Sequence, residues 1–183
     1  VGSSLIPFSA ESFSNSKYAQ FSFNSFLPYH ANRDNIKFYN TFKPFTALKY
    51  VQGGKNEQLL SLTHAHNINS RLNFSGDYTR LSWIGTLQNQ KTTYHKLSLT
   101  NWSKSKNTRY EQFGYFIVNQ NKNKENGGVV FDTSLVDNPF GRNGVETRLD
   151  AISRYDNRTF GVRQSFKLGR ISKDSLGKVI LDQ

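Results

Sequence analysis

Cysteine and methionine are both absent from the 183-residue chain. Without cysteine the protein forms no disulfide framework, holds no thiolate-based zinc site and performs no thiol catalysis. No cationic stretch followed by an apolar one opens the sequence, as it would in a signal peptide. Because no methionine stands at position 1 either, we expect a processed protein or a piece of one.

Long apolar runs are also missing. None approaches the roughly 18 residues of a membrane-spanning helix, which excludes a helical membrane protein. Helical periodicity is nearly absent, while β-branched, aromatic, Asn, Ser and Gly residues are common. A mean hydropathy of −0.64 still permits a transmembrane β-barrel, because half of the strand residues of such a barrel face water.

Aromatic residues and positive charge are abundant. Phe occurs 15 times and Tyr 9 times, and this aromatic content argues against a disordered chain. The formal net charge is +11, which predicts attraction to nucleic acid, acidic lipid headgroups or anionic solutes. Charge alone does not choose among these partners.

The chain is predicted to be a succession of strands and turns. Period-2 alternation is clearest in 71–79 and 158–168, where apolar and polar residues take opposite faces. Further strands are predicted at 18–27, 45–51, 57–66, 94–102 and 109–118, and another begins within 176–182. The clear strands are about 9–11 residues long, as a tilted strand needs to cross a bilayer.

The connections after residue 66 alternate short, medium, short and long. Outer-membrane barrels alternate short periplasmic turns with longer outer loops in this way. We therefore divide the chain into an N-terminal strand and irregular lead-in over 1–44 and transmembrane β-barrel hairpins over 45–183. The medium loop is expected at 82–92 and a long outer loop at 119–157.

Two sets of side chains follow from the alternation. Those predicted to line a pore are Arg71, Asn73, Ser75, Asp77, Thr79, Thr159, Arg163, Ser165 and Lys167. Those predicted to face lipid are Leu72, Phe74, Tyr78, Leu97, Leu99, Phe160, Val162, Phe166 and Leu168. The outer surface of a soluble sheet would accept the polar set equally well, so the alternation fixes common faces and leaves open what each face contacts.

Candidate sites for metal binding and catalysis are weak. His64 and His66 share a strand face, but two ligands do not make a site, so we assign no metal. Asp132, Asp137 and Asp150 lack the spacing of a calcium loop. No nucleophile motif, P-loop or GxGxxG occurs, and we assign neither a cofactor nor an enzymatic activity.

Nucleic acid is not expected as a partner. Lys104, Lys106, Lys122 and Lys124 fall in predicted turns and loops, away from the aromatic faces. Binding to single strands would need basic and aromatic residues on the same surface. A solvated surface facing lipid headgroups explains these lysines better.

Several segments, in order, resemble a known family. FYNT, YVQGGKNEQLL, THAHNIN, LQNQKT, WSKSKNTRY and KENGGVV, which extend from about Asn35 to about Gly169, are similar to the N-terminal barrel region of the putative-porin family of Bacteroidetes-type bacteria. The resemblance implies an antiparallel up-and-down β-barrel of the bacterial outer membrane that passes small solutes. In such a barrel Arg71, Arg163 and Lys167 would line the lumen and favour anions. It also implies outer-membrane lipid, lipopolysaccharide and other outer-membrane proteins as partners.

The chain is shorter than members of that family, and its final LDQ lacks the terminal aromatic of a complete bacterial barrel. We therefore expect the N-terminal part of a larger barrel. Two alternatives stay open. One is a non-conducting barrel that acts as a scaffold subunit in a secretion or uptake complex, and the other is a soluble β-sandwich that binds glycans.

Overall fold

A computed structural model describes residues 29–54, 57–85, 89–125 and 151–168, and the backbone of 170–173 and 179–182. This part of the chain contains eight β-strands and no α-helix. The strands are β1 (Phe45–Gln52), β2 (Gln58–Asn69), β3 (Leu72–Ile84), β4 (Lys91–Lys104), β5 (Tyr110–Glu125), β6 (Ala151–Phe166), β7 (Arg170–Lys173) and β8 (Val179–Asp182). Within these ranges, no helix has the length and apolar character needed to cross a membrane.

Strands β1 to β6 form one sheet in chain order, and every neighbouring pair is antiparallel. Strands β7 and β8 pair separately. The up-and-down order confirms the predicted all-β antiparallel fold. The sheet is open across the described residues, with β1 and β6 at its edges, so the predicted barrel is shown only in part.

The register joins the alternation of single strands into two continuous faces, because residues directly opposed on antiparallel strands point to the same side. Asp77 lies opposite Thr63 and Ser98. Leu99 lies opposite Phe116 on the other side of the sheet. We call the first side the polar face; it includes Thr63, Asn67, Asn73, Ser75, Asp77, Thr79, Thr92, Tyr94, Lys96, Ser98, Thr100, Phe113, Ile117, Asn119, Asn121, Asn123, Asn157, Thr159 and Arg163.

The opposite side is the apolar face. Its aliphatic and aromatic residues form a band, here called the apolar belt, made of Leu48, Tyr50, Leu60, Leu62, Phe74, Tyr78, Leu97, Leu99, Phe116, Val118, Phe160, Val162 and Phe166. The belt crosses the sheet diagonally. On β2 it includes Leu60, which is opposite Arg80, whereas on β6 it extends to Phe166 at the other end of the sheet. Such a drift is expected where strands are tilted relative to a flat apolar layer.

The strands are longer than the sequence predicted. Within the six-stranded sheet they have between 8 and 16 residues, rather than about 9–11. The loop limits 82–92 and 119–157 were wrong, since β3 continues to Ile84, β4 begins at Lys91, β5 continues to Glu125 and β6 begins at Ala151. The start of β4 and the end of β5 are polar, and a ladder of backbone hydrogen bonds does not need apolar side chains.

Two other predictions concern the ends of the chain. The strand predicted at 18–27 lies outside the described residues. A short strand, Val179–Asp182, lies within the predicted tail segment 176–182. Residues 29–44 form no strand, as expected for the lead-in, and β1 begins at the predicted position, Phe45. The division into lead-in and transmembrane hairpins stays a prediction.

Candidate functional site

The polar face is the buried side of the sheet on β2 to β5, whereas Arg163 and Ser165 on β6 are exposed. Of the buried side chains in the described ranges, nine are polar and five are hydrophobic, so burial here is mainly of polar groups. Large apolar side chains are exposed instead: Phe160 by 74%, Leu48 by 69% and Phe74 by 49%. A soluble domain normally shows the reverse, and buried polar groups with exposed apolar patches are the informative departures.

An extended segment, residues 29–41, lies across the polar face and covers it. We call it the strap. At one end the Tyr94 hydroxyl donates a hydrogen bond to the carbonyl oxygen of Tyr29. At the other end the backbone N–H of Thr41 donates to Oδ1 of Asn67, at 3.2 Å. The strap therefore runs from the end of the sheet near the long connection to the end with the short turns.

The sheet holds the strap largely by its backbone. Asn119 Oδ1 accepts from the N–H of Ala31 at 2.9 Å, and Asn119 Nδ2 donates to the carbonyl oxygen of Ala31 at 2.8 Å. Further along, the Thr100 hydroxyl donates to the carbonyl oxygen of Lys37 at 3.1 Å. The two bonds from Asn119 satisfy backbone groups of Ala31 that would otherwise be buried without partners, which is costly.

Asn32 shapes the strap locally. Its side-chain oxygen accepts from the N–H groups of Asp34 and Asn35, at 3.1 and 2.9 Å, and its N–H donates to Oδ1 of Asn35, at 2.8 Å. Asn and Asp favour such turns because their short side chains bond to nearby backbone. The turn bends the strap between its contacts with Asn119 and Thr100.

Asp77 lies at the centre of a polar cluster between the strap and the sheet. Its Oδ1 accepts from the Thr63 hydroxyl at 2.6 Å and from the Tyr39 hydroxyl at 3.3 Å. Burial and the neighbouring Asp77 carboxylate raise the pKa of Tyr39, so this phenol stays a hydrogen-bond donor at neutral pH. The carboxylate thereby joins the strap to both β2 and β3.

Aromatic contacts fix the strap at two further points. Phe38 meets Phe113 edge to face at a centroid distance of 5.1 Å, and the Arg163 guanidinium lies 4.7 Å from the Phe113 ring centroid. His30 stacks on Tyr155 at 4.5 Å. The His30 imidazole is 8% exposed, and its Nε2 has no hydrogen-bond partner within the described ranges. Burial lowers the pKa of His30, so the neutral ring fits this site.

The structure separates the two sets of residues predicted from the sequence. Seven of the residues predicted to line a pore share the polar face: Asn73, Ser75, Asp77, Thr79, Thr159, Arg163 and Ser165. Eight predicted to face lipid share the apolar face: Leu72, Phe74, Tyr78, Leu97, Leu99, Phe160, Val162 and Phe166. What each face contacts stays a prediction.

Three residues of those sets lie outside the strands. Arg71 occupies the turn between β2 and β3, and Lys167 and Leu168 follow the end of β6. The backbone of Lys167 is nevertheless held, since its N–H donates to the carbonyl oxygen of Arg109 at 2.8 Å. For these residues the alternation was extended one or two positions too far.

Sequence reasoning missed the strap and the row Asn119, Asn121 and Asn123. The asparagines were assigned to a loop, although they follow Ile117 at every second position and so lie on the same face of β5. This period-2 spacing was the signal that could have placed them in the strand. All three asparagines are buried on the polar face.

His64 and His66 lie on the apolar face with ring centroids 6.4 Å apart. His64 pairs through Nδ1 with the Thr46 hydroxyl at 2.8 Å. No group of three or more metal-ligating side chains occurs among the described residues. Asp132, Asp137 and Asp150, the weak calcium candidates, lie outside those residues.

These features define an all-β protein whose up-and-down sheet has one polar face and one exposed apolar face. The chain belongs to the family described as "Putative porin", whose family model matches residues 1–181. No curated protein and no solved structure matched the chain.

Proposed function

We propose that the protein is a porin-like channel of the bacterial outer membrane through which small solutes diffuse passively. In this proposal the polar face lines the lumen, the apolar face contacts lipid, and the protein catalyses no reaction. The family match supports a porin-like outer-membrane role in general. An origin in a Bacteroidetes-type bacterium, expected from the resemblance, belongs to the proposal.

The inverted distribution of side chains carries this proposal. Polar residues such as Asn73, Ser75 and Asn119 are buried, while nine of the thirteen residues of the apolar belt are exposed and the other four are half-buried. In a transmembrane barrel lipid-facing and lumen-facing residues alternate, so an apolar surface outside and a polar one inside are expected. A soluble glycan-binding sandwich would need its apolar residues between two sheets.

Charge on the polar face favours anions. Lys96 and Arg163 lie on this face within the sheet, and Lys37 lies on the strap that covers it. Lys49 and Lys104 also lie on this face, against the carboxylates of Asp77, Glu111 and Glu125, so the cations outnumber the anions. A surplus of fixed positive charge in a pore raises the local concentration of anions.

The full-length protein tests the proposal. It is purified from the outer-membrane fraction in detergent, and its gel mobility is compared with and without boiling. We expect a heat-dependent mobility shift, followed by stepwise conductance in planar bilayers. Recovery in the soluble fraction with no shift would overturn the membrane assignment and favour the glycan-binding sandwich.

The strap gives one specific observation for a second candidate, a barrel that is a scaffold in a larger complex and conducts little. Residues 29–41 cover the polar face from Tyr94 to Asn67, and so occupy space that a solute would need. A heat-modifiable protein with no conductance, co-purifying with other outer-membrane proteins in stable stoichiometry, would favour this scaffold role.

A further inference from the structure

The apolar face changes character abruptly toward the end that leads to residues 126–150. Beyond the apolar belt this face carries six Lys and Arg side chains and one carboxylate, that of Asp156. We call the cations the basic cap: Arg80, Lys91, Lys122, Lys124, Arg154 and Arg158. They come from four neighbouring strands, β3 to β6.

The register places the cap against the belt. Val118 of the belt lies opposite Arg158. Two positions further along β5, Gln120 lies opposite Asp156, and two further still, Lys122 lies opposite Arg154. The apolar belt and the basic cap are thus adjacent rows of side chains on one face of the sheet.

The opposite end of the same face has a different composition. Toward the short turns, its strand residues include Ser103, Gln112 and Gln164, none of which carries charge. The positive charge of the apolar face is therefore confined to one end. Arg80, Lys122 and Arg158 in this cap are exposed, so they are accessible to a ligand.

The exposed cations Arg80, Lys122 and Arg158 form no ion pair with the described residues. Arg154 pairs with Asp156, with Nε and Oδ2 3.3 Å apart. Among the described residues on this end of the face, Asp156 supplies the one carboxylate for six cations. Like charges in adjacent rows repel one another, so an anionic ligand that bridges them is favoured.

We propose that the basic cap binds the phosphate groups of anionic outer-leaflet lipids, whose acyl chains lie along the apolar belt. This rests on the proposed membrane function. The chemistry is that of phosphate oxygens accepting charge-assisted hydrogen bonds from Arg and Lys. The cap faces away from the polar face, so its ligand is not the solute of the proposed channel.

The test uses the full-length protein folded in detergent and titrated with lipid A that carries both phosphates. The variant is Arg80→Gln/Lys122→Gln/Arg158→Gln, which leaves the Arg154–Asp156 pair in place. Its control is Lys49→Gln/Lys106→Gln/Lys167→Gln, which removes equal charge elsewhere. We expect the cap variant to bind at least about tenfold more weakly than the wild type, and the control variant to bind as the wild type does.

Two further titrations identify the ligand. Lipid A without phosphates should bind the wild-type protein weakly, and raised sodium chloride should weaken binding of the phosphorylated form. The salt titration needs no variant, so it also tests the proposal if the triple substitution prevents folding. Inorganic phosphate that displaces the lipid completely would show a site for the free anion and overturn the lipid assignment.

Equal weakening by both triple variants, or equal binding of the two lipid A forms, would also overturn the proposal. Heat-dependent gel mobility and conductance of the wild-type preparation separate this result from failure of the proposed function. Suppose the wild-type protein shows the heat-dependent mobility shift and conducts, but the cap variant binds lipid A as tightly as the wild type. The proposed lipid site would then be wrong, while the proposed channel function would stand.

Discussion

The side chain of Asn119 binds both polar backbone groups of Ala31, a residue 88 positions earlier in the chain. The N–H of Ala31 donates at 2.9 Å and its carbonyl oxygen accepts at 2.8 Å. Two parallel hydrogen bonds fix position and direction together. This pairing therefore sets the register of the strap on the polar face.

Asn119→Leu should loosen the strap. The change keeps the shape of the side chain but leaves the two buried groups of Ala31 without partners, at a cost of about 1–3 kcal/mol to strap docking. Limited trypsin digestion, read by mass spectrometry, should show faster cleavage after Arg33 and Lys37. Gln120→Leu, on the opposite face of β5, is the control. Equal cleavage of the two variants would show that the pair does not hold the strap.

The same loosening should widen the proposed channel. In planar bilayers Asn119→Leu should give larger or more frequent conductance steps than Gln120→Leu, since a released strap no longer covers the polar face. Unchanged conductance together with faster strap cleavage would place the strap away from the conducting path.

The two faces should respond differently to an inserted charge. Phe74→Arg and Val162→Arg place a guanidinium on the apolar belt, and each should destabilise the folded protein in lipid vesicles by about 2–4 kcal/mol if it lies near the midplane. Ser165→Arg is the control, because Ser165 is exposed on the polar face of the same strand as Val162.

Urea unfolding in vesicles measures these differences. Similar stabilities of all three variants would contradict the assignment of the apolar belt to lipid. Ser75 would be an unsuitable control because it is buried and its hydroxyl pairs with that of Thr100 at 2.6 Å.

Strap docking should weaken in mild acid. Burial lowers the pKa of His30, so the released strap binds a proton more readily than the docked strap. Docking is therefore unaffected above the ordinary histidine pKa of about 6.5, and loses stability as pH falls from there toward the lowered value. Conductance of the wild type should therefore be higher at about pH 5 than at about pH 7.5.

His30→Phe tests whether this histidine is the responsible group. Phenylalanine keeps a ring that can stack on Tyr155 but does not titrate. Its conductance should change less with pH than that of the wild type. The same pH response in both proteins would assign the effect to another group.

Ion selectivity should depend on Arg163. This side chain is exposed on the polar face, where its guanidinium lies over Phe113. Arg163→Gln should shift the reversal potential in a salt gradient toward lower anion preference. Arg158→Gln removes the same charge from the opposite face of β6 and should leave the reversal potential unchanged. A shift in both variants would indicate a general surface-charge effect.

Alternation predicted the two faces from the sequence wherever apolar and polar residues changed strictly, as in Leu72–Thr79. Period 2 fixes which side chains share a face, whatever the tertiary structure. It was less informative where both faces are polar. NQNKN was assigned to a loop for that reason, although the backbone ladder of β5 continues through it to Glu125.

The strap could not be predicted because its contacts with the sheet are all distant in sequence and follow no local sequence pattern. The irregular lead-in was predicted to end at residue 44, and β1 does begin at Phe45. No local feature, however, pairs Ala31 with Asn119 or Thr41 with Asn67. Such contacts arise only when the sheet has formed and presents several side chains at once.

The position of the strap also has a consequence for biogenesis. In a closed barrel the strap would be surrounded by wall, and β1 follows it directly along the chain. Threading a segment lengthwise into a finished cylinder is slow and unfavourable. In that case the strap would dock on β2 to β6 while the wall is still a curved sheet, and closure would then trap it. It would then act as an internal template whose docking precedes, and guides, the last strand pairing.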